Sequence, residues 1–203
     1  GASLIGQKML ADVLPFGSSS QDKRPNILLI MTDQQSADAM SWRLGKKYIN
    51  TPVMDEVASK GVVFTNAYSP NPLCVPCRTS IFTGLYPHQT GVQTNADKNK
   101  SLSGKITHMG TIFKEAGYDT GYIGKWHMAF PAKEKSAHGF DFMRSIKDIG
   151  IDNEVPGGAE EFLSSKRDKP FLLVTSFVNP HNICEWARGD KLPDGDIGTP
   201  PLV

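Results

Sequence analysis

Cys74-Val75-Pro76-Cys77-Arg78-Thr79-Ser80-Ile81-Phe82-Thr83-Gly84 holds two of the chain's three cysteines beside an arginine. It follows a run with strand character, Val62-Val63-Phe64-Thr65-Asn66-Ala67-Tyr68, and a turn, Ser69-Pro70-Asn71-Pro72. The stretch itself reads as a helix that stops at Gly84, which puts Cys74 at a helix N-terminus. Unpaired N–H groups and the positive dipole end there favour a thiolate or another anion. Arg78, one turn on, points back toward the same spot. From the residues alone two readings stay open: small thiols buried in a strand-to-helix turn, and a redox pair of C-x-x-C spacing.

Working outward, the chain of 203 residues is long enough for one domain with a real core. Its formal net charge of +1 gives no electrostatic case for nucleic acid or a membrane surface as the main partner. No apolar run approaches the length of a transmembrane helix. Three cysteines are too few for a disulfide scaffold, and they leave the redox compartment open. Residues 1–25 read as an N-terminal arm or linker, with a short helix-like run over residues 4–10 and a linker at Gly17-Ser18-Ser19-Ser20. A start at Gly1 fits either a processed chain whose signal peptide has been removed or an ordinary flexible arm.

Asn26-Ile27-Leu28-Leu29-Ile30-Met31 is a continuous apolar run that suits a parallel strand covered on both faces. It ends in Thr32-Asp33-Gln34-Gln35, and Asp33 is either a turn residue or a ligand for a hard cation. Thr51 to Gly61 has the pattern of a helix with Pro52 in its first turn and a core face of Val53, Met54 and Val57. Residues 85–91 read as a loop and residues 95–105 as polar and exposed. Residues 109–116 read as a helix closed at Gly117, followed by a strand over residues 118–123 that runs into Gly124-Lys125-Trp126-His127. His138 is read as structural. Gly157-Gly158 interrupts the chain before a helix over residues 159–166, and Phe171 to Phe177 is another buried-type strand ending in Asn179-Pro180-His181-Asn182. Residues 184–186 and 190–203 read as loops. Alternating strands and helices predict an α/β fold with a mostly parallel central sheet flanked by helices. The polar clusters at Asp33, Cys74, Lys125 with His127, and His181 then gather at the strand ends along one edge.

Cys74, Pro76, Arg78, Thr83 and Gly84, followed in order by Gly124-Lys125-Trp126-His127 and Asn179-Pro180-His181, resemble the sulfatase family of the alkaline phosphatase superfamily. The match runs from residue 26 to 182, and residues 26–203 resemble the N-terminal part of a sulfatase-like catalytic domain. Cys77 stands where the family usually has serine, and Gln34 where many members have a second aspartate. The thioredoxin-type alternative accounts for Cys74 and Cys77 but gives no role to Arg78, Lys125, His127 or His181.

The resemblance implies a sulfuric ester hydrolase, periplasmic or secreted. It implies that a maturation enzyme converts Cys74 to formylglycine, and that calcium is bound by Asp33, Gln34 and the residue at Cys74. Arg78, Lys125, His127 and His181 would be the catalytic residues: Lys125 and His181 holding sulfate oxygens, His127 taking a proton from the nucleophile's second hydroxyl. The substrate would be a sulfated carbohydrate or another small sulfate ester. Alternatives within the superfamily are a phosphonate monoester or phosphodiester hydrolase, and an inactive fragment acting as a binding module. Further metal ligands and another lysine would come from a C-terminal part that residues 190–203 do not resemble.

Overall fold

The computed structural model describes residues 24–100, 102, 106–146 and 152–192. In chain order the elements are β1 (Ile27–Asp33), α1 (Ser41–Leu44), α2 (Pro52–Lys60), α3 (Cys74–Thr83), α4 (Pro87–Thr90), a 3-10 turn (Asn95–Asp97), α5 (Met109–Glu115), β2 (Asp119–Lys125), α6 (Lys135–His138), β3 (Phe142–Ile146), α7 (Glu154–Ser164), β4 (Phe171–Pro180) and α8 (Ile183–Arg188). The helix-like run at residues 4–10 and the tail beyond residue 192 lie outside the described residues.

The four strands form one parallel sheet in the order β1-β4-β2-β3. β4, last in sequence, sits between β1 and β2. All four strands therefore finish at the same edge, where a parallel sheet forms its crevice. On one face of the sheet Phe82, Tyr122, Trp126 and Phe140 pack through tilted and edge-on ring contacts, Tyr122 to Trp126 at 4.8 Å between centroids. On the other, Ile123, Val155, Phe162 and Leu173 bury α7 against β2 and β4.

The expected fold class and the strands at residues 26–31, 118–123 and 171–177 are present, each running further toward the site than the apolar pattern indicates. Several expectations fail, for physical reasons. α7 starts at Glu154 and runs through Gly157-Gly158. Gly158 is there for close packing, since a Cβ would lie 3.0 Å from Ile123 Cγ2. No strand forms at residues 62–68. Their apolar side chains are exposed, Val62 81%, Phe64 79% and Tyr68 88%, so among the described residues β-propensity has no packed surface to support it. β1 is covered on one face only: Leu28 and Ile30 point outward, 47% and 61% exposed. α2 has the expected limits, but its apolar side is not core among the described residues, with Val53 and Val57 largely exposed. Residues 85–91 contain the single turn α4, and residues 184–186 belong to α8. β3 has no apolar run that marks it in the sequence. It is the outer neighbour of β2 and only partly buried.

Candidate active site

α3 is placed by features that a helix pattern does not reveal. Its N-cap, Leu73, makes no side-chain cap. Instead Asn95, from the 3-10 turn, accepts the Val75 amide on Oδ1 at 3.0 Å. Gly84 ends the helix with φ 69° and donates to Ser80 O at 2.8 Å, a conformation that glycine adopts without a Cβ penalty. Thr79 Oγ1 accepts the Ala129 amide at 3.3 Å and ties the middle of α3 to the segment after β2.

Arg78 is the hub. It is 3% exposed. Nη2 and Nε donate to Asp33 Oδ2 at 2.8 and 3.2 Å, while Nη1 donates to the Lys125 carbonyl at 3.0 Å and to Ser176 Oγ at 2.7 Å. One side chain thereby joins α3 to the ends of β1, β2 and β4. Lys125, 1% exposed, places Nζ 3.2 Å from Asp33 Oδ2 and 4.0 Å from Cys74 Sγ. The Tyr122 hydroxyl donates to the Lys125 carbonyl. Neither Ser176 nor Asn95 belongs to a motif that the sequence displays. Ser176 gave one signal, a hydroxyl near the end of a buried strand, and Asn95 gave none.

Two buried cations face one carboxylate here, leaving a surplus positive charge. Burial alone would raise the Asp33 carboxyl, but Arg78 and Lys125 outweigh it and hold it below the usual carboxylate range. The Cys74 thiol behaves oppositely. Burial pushes it up, and Asp33, which accepts from Sγ at 3.5 Å, adds to the rise. The expected thiolate at the helix N-terminus is therefore not favoured. The Val75 amide is already taken by Asn95, and the nearest charge to the sulfur is an anion. A redox cysteine needs a depressed pKa, so this geometry argues against the C-x-x-C reading. Cys77 faces Ser69 Oγ at 3.1 Å, and all three cysteines are free.

Asp33, Cys74 and His181 offer ligand atoms that lie within 4.8 Å of one another. Burial, then Lys125, lowers the His181 pKa and favours the neutral ring. Its Nδ1 is buried without a hydrogen-bond partner among the described residues. Gln34 is turned elsewhere: it has φ 58°, and its Oε1 accepts from Cys184 Sγ at 3.2 Å. His127 follows Lys125 with φ 40° and lines a cavity of about 310 Å³ with Lys98, Asn99 and Ser145. As they stand, these residues do not fit calcium, which takes six to eight oxygen ligands. One carboxylate with a thiol and an imidazole is a partial and partly soft donor set.

His88 is exposed and stacks on Tyr86 at 5.8 Å. His138 is structural as expected: Nε2 lies 3.0 Å from Ala132 O, and Nδ1 accepts the Phe140 amide at 3.1 Å.

The sulfatase family model matches residues 25–195. The chain belongs to the sulfatase family. It is 34% identical over 182 residues to the Delta 4,5-hexuronate-2-O-sulfatase of Bacteroides thetaiotaomicron, covering 83% of this chain and 37% of that protein. A solved 2-O GAG sulfatase superposes with a TM-score of 0.70 at 29% identity, over 89% of this chain and 40% of its own. A second solved protein, in complex with its substrate D-glucosamine-2-N,6-O-disulfate, gives 0.66 at 30% identity over 78% and 35%. The chain thus spans well under half the length of these relatives. Of the residues that the resemblance singles out, Asp33, Cys74, Arg78, Lys125 and His181 converge in one place, while Gln34 is bonded to Cys184 and His127 lines the neighbouring cavity.

Proposed function

We propose that the whole protein hydrolyses sulfate esters of carbohydrates, using a formylglycine made from Cys74 by a maturation enzyme. The observation that carries this reading is the buried Asp33–Arg78–Lys125 cluster, whose surplus positive charge lies against Cys74. Buried charge without a counter-ion is costly, and a sulfate group supplies the missing anion. The sugar is suggested by the names of the relatives, and a periplasmic or secreted site by the family resemblance. Among the described residues no helix is long and apolar enough to cross a membrane.

In this reading the hydrated formylglycine would supply two hydroxyls: one to displace the alcohol from sulfur, with the ester S–O bond breaking and the alcohol taking up a proton, and a second whose deprotonation would release sulfate and restore the aldehyde. Arg78 and Lys125 hold the attacking oxygen and the sulfate oxygens in a water-poor site, where preformed charge is most effective. His181, whose lowered pKa favours the neutral ring, would hold a sulfate oxygen and exchange a proton with the leaving alcohol. His127 is the proposed base for the second hydroxyl. Calcium is also part of the proposal, held partly by Asp33 and otherwise by oxygens from the rest of the protein, with Gln34 reaching it only after leaving Cys184. Calorimetry on residues 1–203 is expected to find no tight calcium binding.

The test compares residues 1–203 with the whole protein, both carrying matured Cys74, on paired aryl sulfate, phosphate and phosphonate esters with and without calcium. The whole protein is expected to prefer sulfate, and residues 1–203 to be slower by at least about 10²–10³-fold, the usual cost of losing one charge-stabilising element. A phosphonate preference would transfer the function to that chemistry, and robust turnover by residues 1–203 would refute the split ligand set. Peptide mass spectrometry should find the aldehyde at Cys74 and not at Cys77.

A further inference from the structure

Asp152 lies between β3 and α7, outside the cluster described above. Its Oδ1 accepts the Val178 amide at 2.6 Å, and its Oδ2 accepts the Asn179 amide at 2.9 Å and Asn179 Nδ2 at 3.1 Å. These donors sit where the sheet lets go of β4. Pairing with β2 ends at Gly124↔Ser176, and pairing with β1 is regular only to Met31↔Ser176 before the register shifts to Asp33↔Pro180. Beyond Ser176 the strand continues toward the site, and consecutive amides need acceptors that the sheet no longer supplies in register. The carboxylate of Asp152 supplies both. From there the path to the site is short, because Val178 O accepts the His181 amide at 3.1 Å.

We propose that Asp152 is a positioning residue for His181. It fixes Val178 and Asn179 by a two-oxygen grip, and the turn they begin aims the imidazole at Asp33 and Cys74. The inference rests on the reading of His181 as part of a sulfate-ester site. A carboxylate suits the task because two adjacent N–H donors require two acceptor oxygens. An asparagine offers one, and its NH₂ would face a donor. A side chain that only closed α7 would not need the grip, since the α7 contact is made by the main chain, where the Val155 amide donates to Asp152 O at 3.0 Å.

The experiment uses the whole protein with matured Cys74 and the variants Asp152→Ala, Asp152→Asn and Asp152→Glu, with histidine-selective NMR as a second readout. The His181 signal is assigned by its loss in His181→Gln. A misplacement of about 1 Å costs on the order of 10²-fold in rate, so Asp152→Ala is expected to lower kcat by about that factor with KM changed by less than about threefold. Asp152→Asn should fall between, and Asp152→Glu should recover part of kcat. The His181 resonance should move in Asp152→Ala and Asp152→Asn while that of His88 stays. If Asp152→Ala does not fold, Asp152→Asn carries the same two readouts. A lower melting temperature with kcat and the His181 signal unchanged would overturn the proposal, leaving Asp152 a purely structural residue. A whole protein without sulfate-ester turnover, but with the His181 signal displaced in the variants, would overturn the activity reading and uphold the positioning role.

Discussion

β2 and β1 end at the same ion cluster, yet they are built differently. β2 is buried from Thr120 to Lys125 and has neighbours on both edges, β4 and β3. β1 has one neighbour among the described residues, β4, and shows Leu28 and Ile30 to solvent. α2 and the segment at residues 62–68, on the same stretch of chain, are also exposed. Even so, Asp33 at the end of β1 is 6% exposed, buried like the Lys125 it faces, which is 1% exposed. What buries Asp33 is the set of side chains arriving from α3 and β2, not the strand it belongs to. Local coverage and the quality of the site are therefore separable here.

The sharpest way to break this arrangement is at Arg78. Arg78→Ala would leave the buried Asp33 carboxylate short of its main partner and Ser176 without its donor. Removing one member of a buried pair costs about 3–5 kcal/mol, to be read as a fall in the urea midpoint. Next comes the tight side of the sheet. Gly124 has φ 106°, and a Cβ there would sit 1.9 Å from Ser176 O. Gly124→Ala should cost about 3 kcal/mol from strain and overpacking together, again measured in urea.

A smaller effect is expected from acid. Asp97 accepts the Gln93 and Thr94 amides at 2.9 and 3.0 Å, and these backbone bonds lower its pKa from 3.8 to about 2. A carboxyl depressed on folding contributes stability that is present above its unfolded pKa and is lost as pH falls through the folded one. The turn that presents Asn95 to α3 should therefore loosen between about pH 4 and 2. Asp97→Asn should flatten that part of the stability profile, and an unchanged profile would remove the argument. The smallest effect belongs to the exposed side. Val57→Gln on α2 should change the stability of residues 1–203 by no more than about 0.5 kcal/mol. Repeating it in the whole protein sharpens the comparison, because a valine buried there contributes about 1.5–3 kcal/mol.

The contrast also explains what could be read from sequence. The central strands declared themselves because a strand covered on both faces is apolar throughout, and β4 shows this from Phe171 to Phe177. The same signal misled at Leu28, Ile30 and residues 62–68, since composition states what a segment could bury and not what lies over it. The helix at Cys74 was legible from Gly84 and the spacing of Cys74 and Arg78. The elevated thiol pKa was not, because it depends on tertiary burial and then on Asp33, 41 residues away in sequence. Ser176 and Asn95 reach the site through tertiary contacts alone. Gly157-Gly158 looked like a break because glycine is a poor helix former, and packing against Ile123 overrode that preference.

The insertion of β4 between β1 and β2 has a consequence for how the chain assembles. Ile27 pairs with Leu172, and Arg78 reaches Ser176 across 98 residues. Contacts so distant in sequence carry a large loop-closure cost and form slowly. As the chain leaves the ribosome, β1 has no strand to pair with among the described residues until residues 171–176 have emerged. The ion cluster is therefore among the last parts of this region to close. Until then α3 lacks the anchor at Ser176, and the peptide around Cys74 stays open to other proteins during synthesis.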